Sequence, residues 1–291
     1  MKFSSSSYLT KLALAGSVAA TLASCDEPTL PEPKPVTAST VGTATVRIVN
    51  AAPGTTGTSF TIDALTAGAT LPYLATTTVP NILAGQRLLL FSEPTNIPAT
   101  PTAAIAAGVA PLTVARPLAL RSSFSGNTSY TVFLTDQPTR AYVYPVTATS
   151  DQGGIRSVTL TDNLTSTANR ARIRFINLSP SFTSGADSLG LYNTVTNRFQ
   201  YRPIGRTYRS TSYTVPNSNP ARTTNFATFN EVTPGAYTFD VRRGLVGGTN
   251  NLKVEFTPQA LTLEAGKSYT IYTSGLRGST TTPLAISVVN H

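Results

Sequence analysis

Hydrophobic and polar residues alternate along most of the chain beyond residue 42. Residues 45–49, Thr-Val-Arg-Ile-Val, and residues 172–176, Arg-Ile-Arg-Phe-Ile, each place an arginine between apolar side chains. Alternation with a period of two, in runs rich in β-branched and aromatic residues, is typical of strands that bury one face. Residues 88–91 are instead continuously apolar, which predicts a strand buried on both faces. Because strong helix formers are few, the pattern predicts an all-β protein.

This strand pattern occurs twice. Residues 171–180 repeat the pattern of residues 44–53 with an offset of 127, and residues 268–272 repeat residues 129–133 with an offset of 139. The second unit therefore carries about 12 extra residues, which we place at 206–228. A period this long indicates tandem domains rather than a solenoid, whose repeats are roughly 20–50 residues long.

We therefore predict two tandem antiparallel β-sandwich domains, of the immunoglobulin-like or transthyretin-like kind. The first domain is assigned to residues 43–162 and the second to residues 170–291. The polar stretch of small residues at 163–169 is assigned to the linker between them.

The N-terminal residues have the three parts of a secretory signal. Lys2 and Lys11 supply positive charge, residues 12–22 are apolar, and two small residues precede Cys25. A membrane-spanning helix needs about 20 apolar residues, so this run is too short to span. The sequence Leu-Ala-Ser-Cys resembles the lipobox of bacterial lipoproteins, which implies removal of residues 1–24 and lipidation of Cys25. The alternative for a lone cysteine is burial in a core.

A proline-rich segment follows Cys25. Residues 26–42 contain four prolines, which predicts an extended spacer of roughly 50 Å at about 3.1 Å per residue. The alternative, a disordered segment, would also hold the folded part away from a membrane. Asp26 and Glu27 resemble the surface-export signal of Bacteroidetes lipoproteins. The predicted location is the outer membrane, with the protein lipid-anchored on the periplasmic face or at the cell surface.

The charge pattern narrows the range of partners. The formal net charge is +9, and it falls to +7 when Lys2 and Lys11 leave with the signal. Arg242-Arg243 is the only basic doublet, and the sequence has no cluster of more than two basic residues. This pattern argues against nucleic-acid binding. The partners that we expect are the membrane, through lipid on Cys25, and a cell-surface polysaccharide or another envelope protein. With Cys25 lipidated, no disulfide can form within the chain, which predicts cores held by apolar burial alone.

The sequence offers little for catalysis. His291, the only histidine, is expected to be a poor general base at a mobile terminus. No zinc-ligand cluster or phosphate-binding loop is present, so we predict neither metal nor cofactor. A glycosidase needs two carboxylates, but the second unit's acids have neighbours typical of turns and outward strand faces, which predicts solvated charges. These acids are Asp187, Asp240, Glu255 and Glu264.

We accordingly predict a non-catalytic binding or structural module. A carboxylate-dependent glycan hydrolase and a purely structural spacer remain as alternatives. Tyrosines and arginines alternate where the second unit is longest, and aromatic faces beside guanidinium groups suit sugars or anionic polymers. Ordinary cross-strand Tyr–Arg contacts would produce the same pattern. The candidate ligand-binding residues are Tyr192, Tyr201, Arg202, Arg206 and Tyr208.

Three stretches of the second unit resemble a known family. Residues 172–180, the Pro-Gly-Ala-Tyr at 234–237 and the Leu-Glu-Ala-Gly-Lys-Ser-Tyr-Thr at 263–270 are similar to the family known as domain of unknown function, number 4397. The resemblance extends over residues 170–288 and is weaker over 44–162. It implies a small β-sandwich in a secreted or lipid-anchored bacterial protein. It implies no catalytic residues.

Overall fold

The computed structural model describes residues 41–66, 70–98, 113–140, 154–165, 167–183, 187–245 and 253–291. Residues 1–24, Cys25 and most of the spacer at 26–42 lie outside the described residues. Within those ranges β-strands make up almost all of the regular structure, which confirms the predicted all-β class.

The first half of the chain forms two four-stranded sheets. The first central sheet has the strand order β4-β1-β7-β8, and the first outer sheet has the order β3-β2-β5-β6. Strands β1 and β7 run parallel, and all other neighbours are antiparallel. The strands are β1 (Thr43–Asn50), β2 (Phe60–Ile62), β3 (Leu65–Thr66), β4 (Thr76–Leu83), β5 (Gly85–Pro98), β6 (Thr113–Phe124), β7 (Ser129–Thr135) and β8 (Arg156–Asp162).

The second half repeats this arrangement. The second central sheet has the order β14-β9-β18-β19, with β9 and β18 parallel, and the second outer sheet joins β11, β10, β15, β16 and β17. Strands β12 and β13 form a separate hairpin. The strands are β9 (Ala171–Asn177), β10 (Asp187–Asn193), β11 (Arg198–Tyr201), β12 (Ser212–Thr214), β13 (Thr223–Asn225), β14 (Asn230–Val232), β15 (Gly235–Leu245), β16 (Lys253–Val254), β17 (Gln259–Leu263), β18 (Ser268–Ser274) and β19 (Ala285–Asn290).

One parallel pair in each central sheet is a feature that the prediction of antiparallel sandwiches did not include. The chain leaves β1, builds the first outer sheet and returns beside β1 as β7, and it repeats this path from β9 to β18. Such a long crossover is what allows parallel neighbours, whereas a tight hairpin enforces antiparallel ones.

The sequence repeat is reproduced in the strand register. Val46 lies opposite Tyr130 in the first central sheet, and Ile173 lies opposite Tyr269 in the second. The tyrosine hydroxyls have the same role in both halves. Tyr130 accepts a hydrogen bond from the Ser125 backbone N–H at 2.9 Å, and Tyr269 accepts one from Glu264 at 3.0 Å.

The second half is longer in the region that the sequence indicated. Ala44 pairs with Ile82 and Ala171 with Val232, so the offset between the repeats rises from 127 to 150, an insertion of 23 residues. The β12–β13 hairpin lies within this insertion. The net difference at Tyr269 is smaller, 12 residues, because the second half is shorter between β14 and β18.

In the described part of the chain, three hydrophobic cores lie between the four main sheets. One core fills the first sandwich and one fills the second. A third core lies between the two central sheets, where equivalent residues face each other, and residues 37–291 form one compact unit. The rings of Phe133 and Tyr272, which are equivalent positions, have centroids 5.2 Å apart. This core also contains Val49, Ala51, Val158, Leu160, Ile176, Leu178, Phe226 and Val289.

Because of the third core, the fully buried strands lie in a central sheet and not in the predicted run at 88–91. All seven residues of β9 and all seven of β18 are buried, because sandwich cores lie on both of their faces. In the apolar run at 88–91, Leu89 and Phe91 are buried whereas Leu88 and Leu90 are only partly covered. The predicted burial of that run on both faces is therefore wrong, because its sheet is an outer layer of the stack.

Candidate functional site

A buried polar cluster lies between the two central sheets. Arg174 donates from Nη2 to Asp162 Oδ1 at 2.5 Å and from Nε to Thr270 Oγ1 at 2.8 Å. Thr131 Oγ1 donates to Asp162 Oδ2 at 2.7 Å. The Arg174 and Asp162 side chains are 0% and 1% exposed, so their ion pair is shielded from solvent. The cluster, here called the seam network, comprises Arg47, Thr131, Asp162, Arg174, Thr270 and His291.

His291 closes the seam network. Its backbone N–H donates to the Ser268 carbonyl at 2.9 Å, and Nε2 lies 2.8 Å from Thr270 Oγ1. Nδ1 contacts the Arg47 guanidinium, which can only donate, so we assign the proton of the neutral ring to Nε2. Burial, followed by the charges of Arg47 and Arg174, lowers the pKa of His291 to about 3. The prediction of a mobile terminal histidine is wrong, because this side chain is buried and held by hydrogen bonds.

The seam network follows the repeat. Arg47 lies opposite Thr131 in one central sheet, and Arg174 lies opposite Thr270 in the other. Each arginine contacts the other sandwich: Arg174 pairs with Asp162, and Arg47 contacts His291. The prediction of cores held by apolar burial alone is therefore wrong, since charged groups lie between the sandwiches.

An open cleft of about 520 Å³ borders the seam network. One wall is β8, an edge strand, and the other is the β12–β13 hairpin with the segment that follows it. Phe229 links the cleft to the seam network, because its ring lies 4.3 Å from the Arg174 guanidinium carbon and packs edge-on against His291. The cleft, here called the hydroxyl cleft, is lined by Thr159, Leu160, Thr161, Asn163, Arg172, Thr211, Ser212, Thr223, Asn225, Ala227, Thr228 and Phe229.

The lining of the hydroxyl cleft is rich in neutral hydrogen-bonding groups. Thr159, Thr161 and Thr228 are exposed, and their hydroxyl groups form no hydrogen bond with another described residue. Hydroxyl and amide groups can both donate and accept, which matches the hydroxyl groups of a sugar. None of the described residues that line this cleft is a carboxylate. The arrangement is suited to binding a polar ligand.

A second cleft, of about 460 Å³, lies on the other side of the hairpin. Ser212 is a lining residue of both clefts. Gly205 has a φ of +65°, and a Cβ there would lie only 2.1 Å from the Tyr213 ring, so this close approach requires glycine. The second cleft is lined by Ser188, Gly205, Thr207, Ser210, Ser212, Tyr213 and Thr214.

Two of the five predicted binding residues are internal. Tyr201 is 7% exposed, donates its hydroxyl to the Ile173 carbonyl at 2.7 Å, and has a pKa that burial raises to about 12. Arg206 is 8% exposed, and its guanidinium carbon lies 3.9 Å from the Phe226 ring centre and 4.6 Å from that of Tyr201. Burial lowers the pKa of Arg206 to about 10. Both side chains fill the second sandwich rather than a surface.

The other three predicted residues lie apart. Tyr208 donates to Asp136 Oδ2 at 3.0 Å, which ties the first sandwich to the second, and burial raises its pKa. Tyr192 lies beneath the Arg242 guanidinium, 3.3 Å from the carbon to the ring centre, in a cross-strand contact of the second outer sheet. Arg202 is exposed. The structure therefore does not gather the five residues on one face, and none of them lines the described clefts.

The acids of the second half are mostly paired. Asp240 and Glu255 have side chains only 5% and 6% exposed, and both contact arginines, at 3.1 Å for Arg242 and 3.2 Å for Arg277. The prediction of solvated charge is wrong for these two, because arginines on β15 and in the turn after β18 lie against their carboxylates. Glu264 is exposed, as predicted, and Asp187 pairs with Arg243 at 3.3 Å.

No group of three or more His, Cys, Asp or Glu side chains in the described ranges is placed to hold a metal ion. In the same ranges no helix has the length and apolar character needed to cross a bilayer.

The sequence analysis did not predict the residues of the hydroxyl cleft. Threonines are common on strands, and these threonines come close to one another only in the folded protein.

Comparison with known proteins identifies no family. No family model matches the chain, and no curated protein matches it. Among solved structures, a candidate cell adhesion protein from Bacteroides eggerthii DSM 20697 aligns over 86% of this chain and 96% of its own, with 10% identity and a TM-score of 0.21. A second candidate cell adhesion protein, from Parabacteroides distasonis ATCC 8503, aligns over 88% and 99%, with 10% identity and a TM-score of 0.17. At this level the similarity carries no argument.

Proposed function

We propose that the protein is a non-catalytic, lipid-anchored module of the bacterial cell envelope that binds polysaccharide in the hydroxyl cleft. The observation that carries this proposal is the lining of the cleft, where unengaged threonine hydroxyls face an open groove and no described lining residue is a carboxylate. The second cleft, which shares Ser212 with the first, is also lined mainly by serine and threonine residues.

The pairing of the acids supports the non-catalytic part of the proposal. A glycosidase needs one protonated and one ionised carboxyl group on either side of the scissile bond. Asp240 and Glu255 are instead each held against an arginine, at 3.1 Å from Arg242 and 3.4 Å from Arg243 respectively. This arrangement favours a binding module over the alternative hydrolase.

The cellular location is proposed from the sequence. The lipobox at Cys25 and the proline-rich spacer support anchoring at the outer membrane, on the periplasmic face or at the cell surface. The resemblance to domain of unknown function number 4397 supports the same class of secreted or lipid-anchored protein.

The binding prediction is tested by removing three hydroxyl groups without changing shape. In the triple variant Thr159→Val, Thr161→Val and Thr228→Val, we expect glycan binding to weaken between about tenfold and a thousandfold. Each hydrogen bond contributes about 0.5–1.5 kcal/mol, and about 1.4 kcal/mol is tenfold in affinity. The measurement is the affinity of the purified full-length protein for the bacterial polysaccharides that it retains on a glycan array.

The control changes three exposed threonines that line neither cleft, Thr76, Thr78 and Thr262, to valine. Valine is well tolerated in strands, so both triple variants should fold. If the wild type binds a polysaccharide and both triple variants bind it with the same affinity, the hydroxyl cleft is excluded as the binding site. Absence of any retained polysaccharide would reject the proposed function.

A further inference from the structure

A buried arginine in the wall of the hydroxyl cleft has no carboxylate partner among the residues that the structure describes. Arg172 is 8% exposed, one of its terminal nitrogens donates to the Thr165 carbonyl, and its guanidinium carbon lies 5.4 Å from the Phe229 ring centre. A guanidinium has five N–H donors, so one carbonyl and one ring leave donors available. Arg172 takes part in none of the ion pairs found among the described residues.

The nearest acid along the sheet is engaged elsewhere. Glu231 lies opposite Arg172 in the register of β14 and β9. Its carboxylate accepts a hydrogen bond from Thr167 Oγ1 at 2.5 Å and lies 3.8 Å from Arg170 Nε. The other arginine behind Phe229, Arg174, is neutralised by Asp162 at 2.5 Å. Arg172 is therefore the charge that the cleft presents to a ligand.

Burying a charge is costly unless it is paired and hydrogen-bonded, and a partly buried charge is screened by salt less than a surface charge. An anionic ligand would supply the missing partner. A carboxylate or sulfate group can accept parallel N–H bonds from one guanidinium, and such charge-assisted bonds are about twice as strong as neutral ones. The neighbouring threonine and asparagine side chains would bind the hydroxyl groups of the same sugar.

We infer that the ligand of the hydroxyl cleft is an acidic polysaccharide, whose carboxylate or sulfate group binds Arg172. This inference rests on the proposed function and specifies its ligand class. It requires that binding depend on the acidic group of the polymer and on Arg172 in particular, beyond the general attraction of a cationic protein for polyanions.

The test compares acidic polymers with their neutral counterparts. The probes are polygalacturonate with its carboxyl-reduced form, and dextran sulfate with dextran, titrated against the purified full-length protein. We expect at least one acidic polymer to bind at least tenfold more tightly than its neutral counterpart. We expect Arg172→Gln to lose at least tenfold in affinity for that polymer, since bonds to charged groups contribute about 1.5–3 kcal/mol.

The matched control is Arg198→Gln, which removes the same charge from an exposed position lining neither cleft and should change affinity less than threefold. Equal losses in the two variants would show non-specific attraction and overturn the inference. Equal binding of acidic and neutral polymers by the wild type would also overturn it, and this comparison stands even if Arg172→Gln fails to fold. The inference would also be overturned if the wild type bound none of the four probes. The proposed function is tested separately, by the glycan array.

Discussion

Replacing Asp162 with alanine is expected to destabilise the protein by about 3–5 kcal/mol, because the change leaves the Arg174 guanidinium buried without its counter-ion. The pair is fully shielded, with side-chain exposures of 0% and 1%, so water cannot replace the lost carboxylate without opening the seam. Thr131 would lose its acceptor as well. The measurement is the free energy of unfolding from denaturant titration.

Two comparisons separate this effect from ordinary loss of a contact. Glu231→Ala breaks an exposed pair whose atoms are 3.8 Å apart, and it should cost less than about 1 kcal/mol. The double variant Asp162→Leu with Arg174→Met removes both charges, and it should be more stable than Asp162→Ala. If Asp162→Ala were no more destabilising than Glu231→Ala, the ion pair would not be buried as described.

The second large effect is a loss of stability in acid that depends on His291. The groups facing its ring are Arg47, Asp162, Arg174 and Thr270. The Asp162 carboxylate lies 3.7 Å from Nδ1 but is already engaged by Arg174 and Thr131, so burial and the two arginines determine the direction. They lower the pKa of His291 to about 3 in the folded protein.

The sign of the effect follows from the two protonation states. An unfolded histidine has a pKa of about 6.5, so between that pH and about 3 the unfolded chain binds a proton that the folded protein excludes. The contribution of His291 to stability is complete above pH 6.5 and declines as the pH falls. At about 1.4 kcal/mol per pH unit, the loss at pH 4 is about 3 kcal/mol.

The measurement is the free energy of unfolding of the wild type and of His291→Asn between pH 7 and pH 4. Asparagine can still accept from Arg47 but does not titrate in this range. The wild type should lose about 3 kcal/mol more than the variant, while carboxylates common to both cancel in the comparison. Parallel pH curves for the two proteins would contradict the buried neutral state of His291.

The sequence predicted the features of the fold that depend on contacts within a single sandwich. Alternation around Val46 and Ile173 placed these residues in separate cores, and the offset between their strands reproduces the register that the structure shows. The offsets alone also indicated an insertion at 206–228, but they predicted about 12 extra residues where the register shows 23, because a later shortening of the second half conceals the rest. These properties depend on neighbours within one sheet, so the period of the hydrophobic pattern is sufficient to predict them.

Contacts between the sandwiches could not be predicted in this way. Arg47, Thr131, Arg174 and Thr270 occupy the polar positions of alternating strands, which is typical of a solvent-facing side. These side chains are buried because the central sheet of one sandwich packs against the central sheet of the other. The hydrophobic pattern of a single strand does not indicate this packing. The Tyr–Arg cluster was misleading for a related reason, since Tyr201 and Arg206 are buried and both form hydrogen bonds with backbone carbonyls of β9.

The proposed function depends most directly on export and lipid anchoring at Cys25. Metabolic labelling with a radioactive fatty acid, followed by membrane fractionation, compares the wild type with Cys25→Ser. We expect the wild type to be labelled and to sediment with the outer membrane, and the variant to lose both properties because acyl chains supply the membrane affinity. Equal labelling of the two proteins, or an unlabelled wild type in the cytoplasmic fraction, would contradict the account.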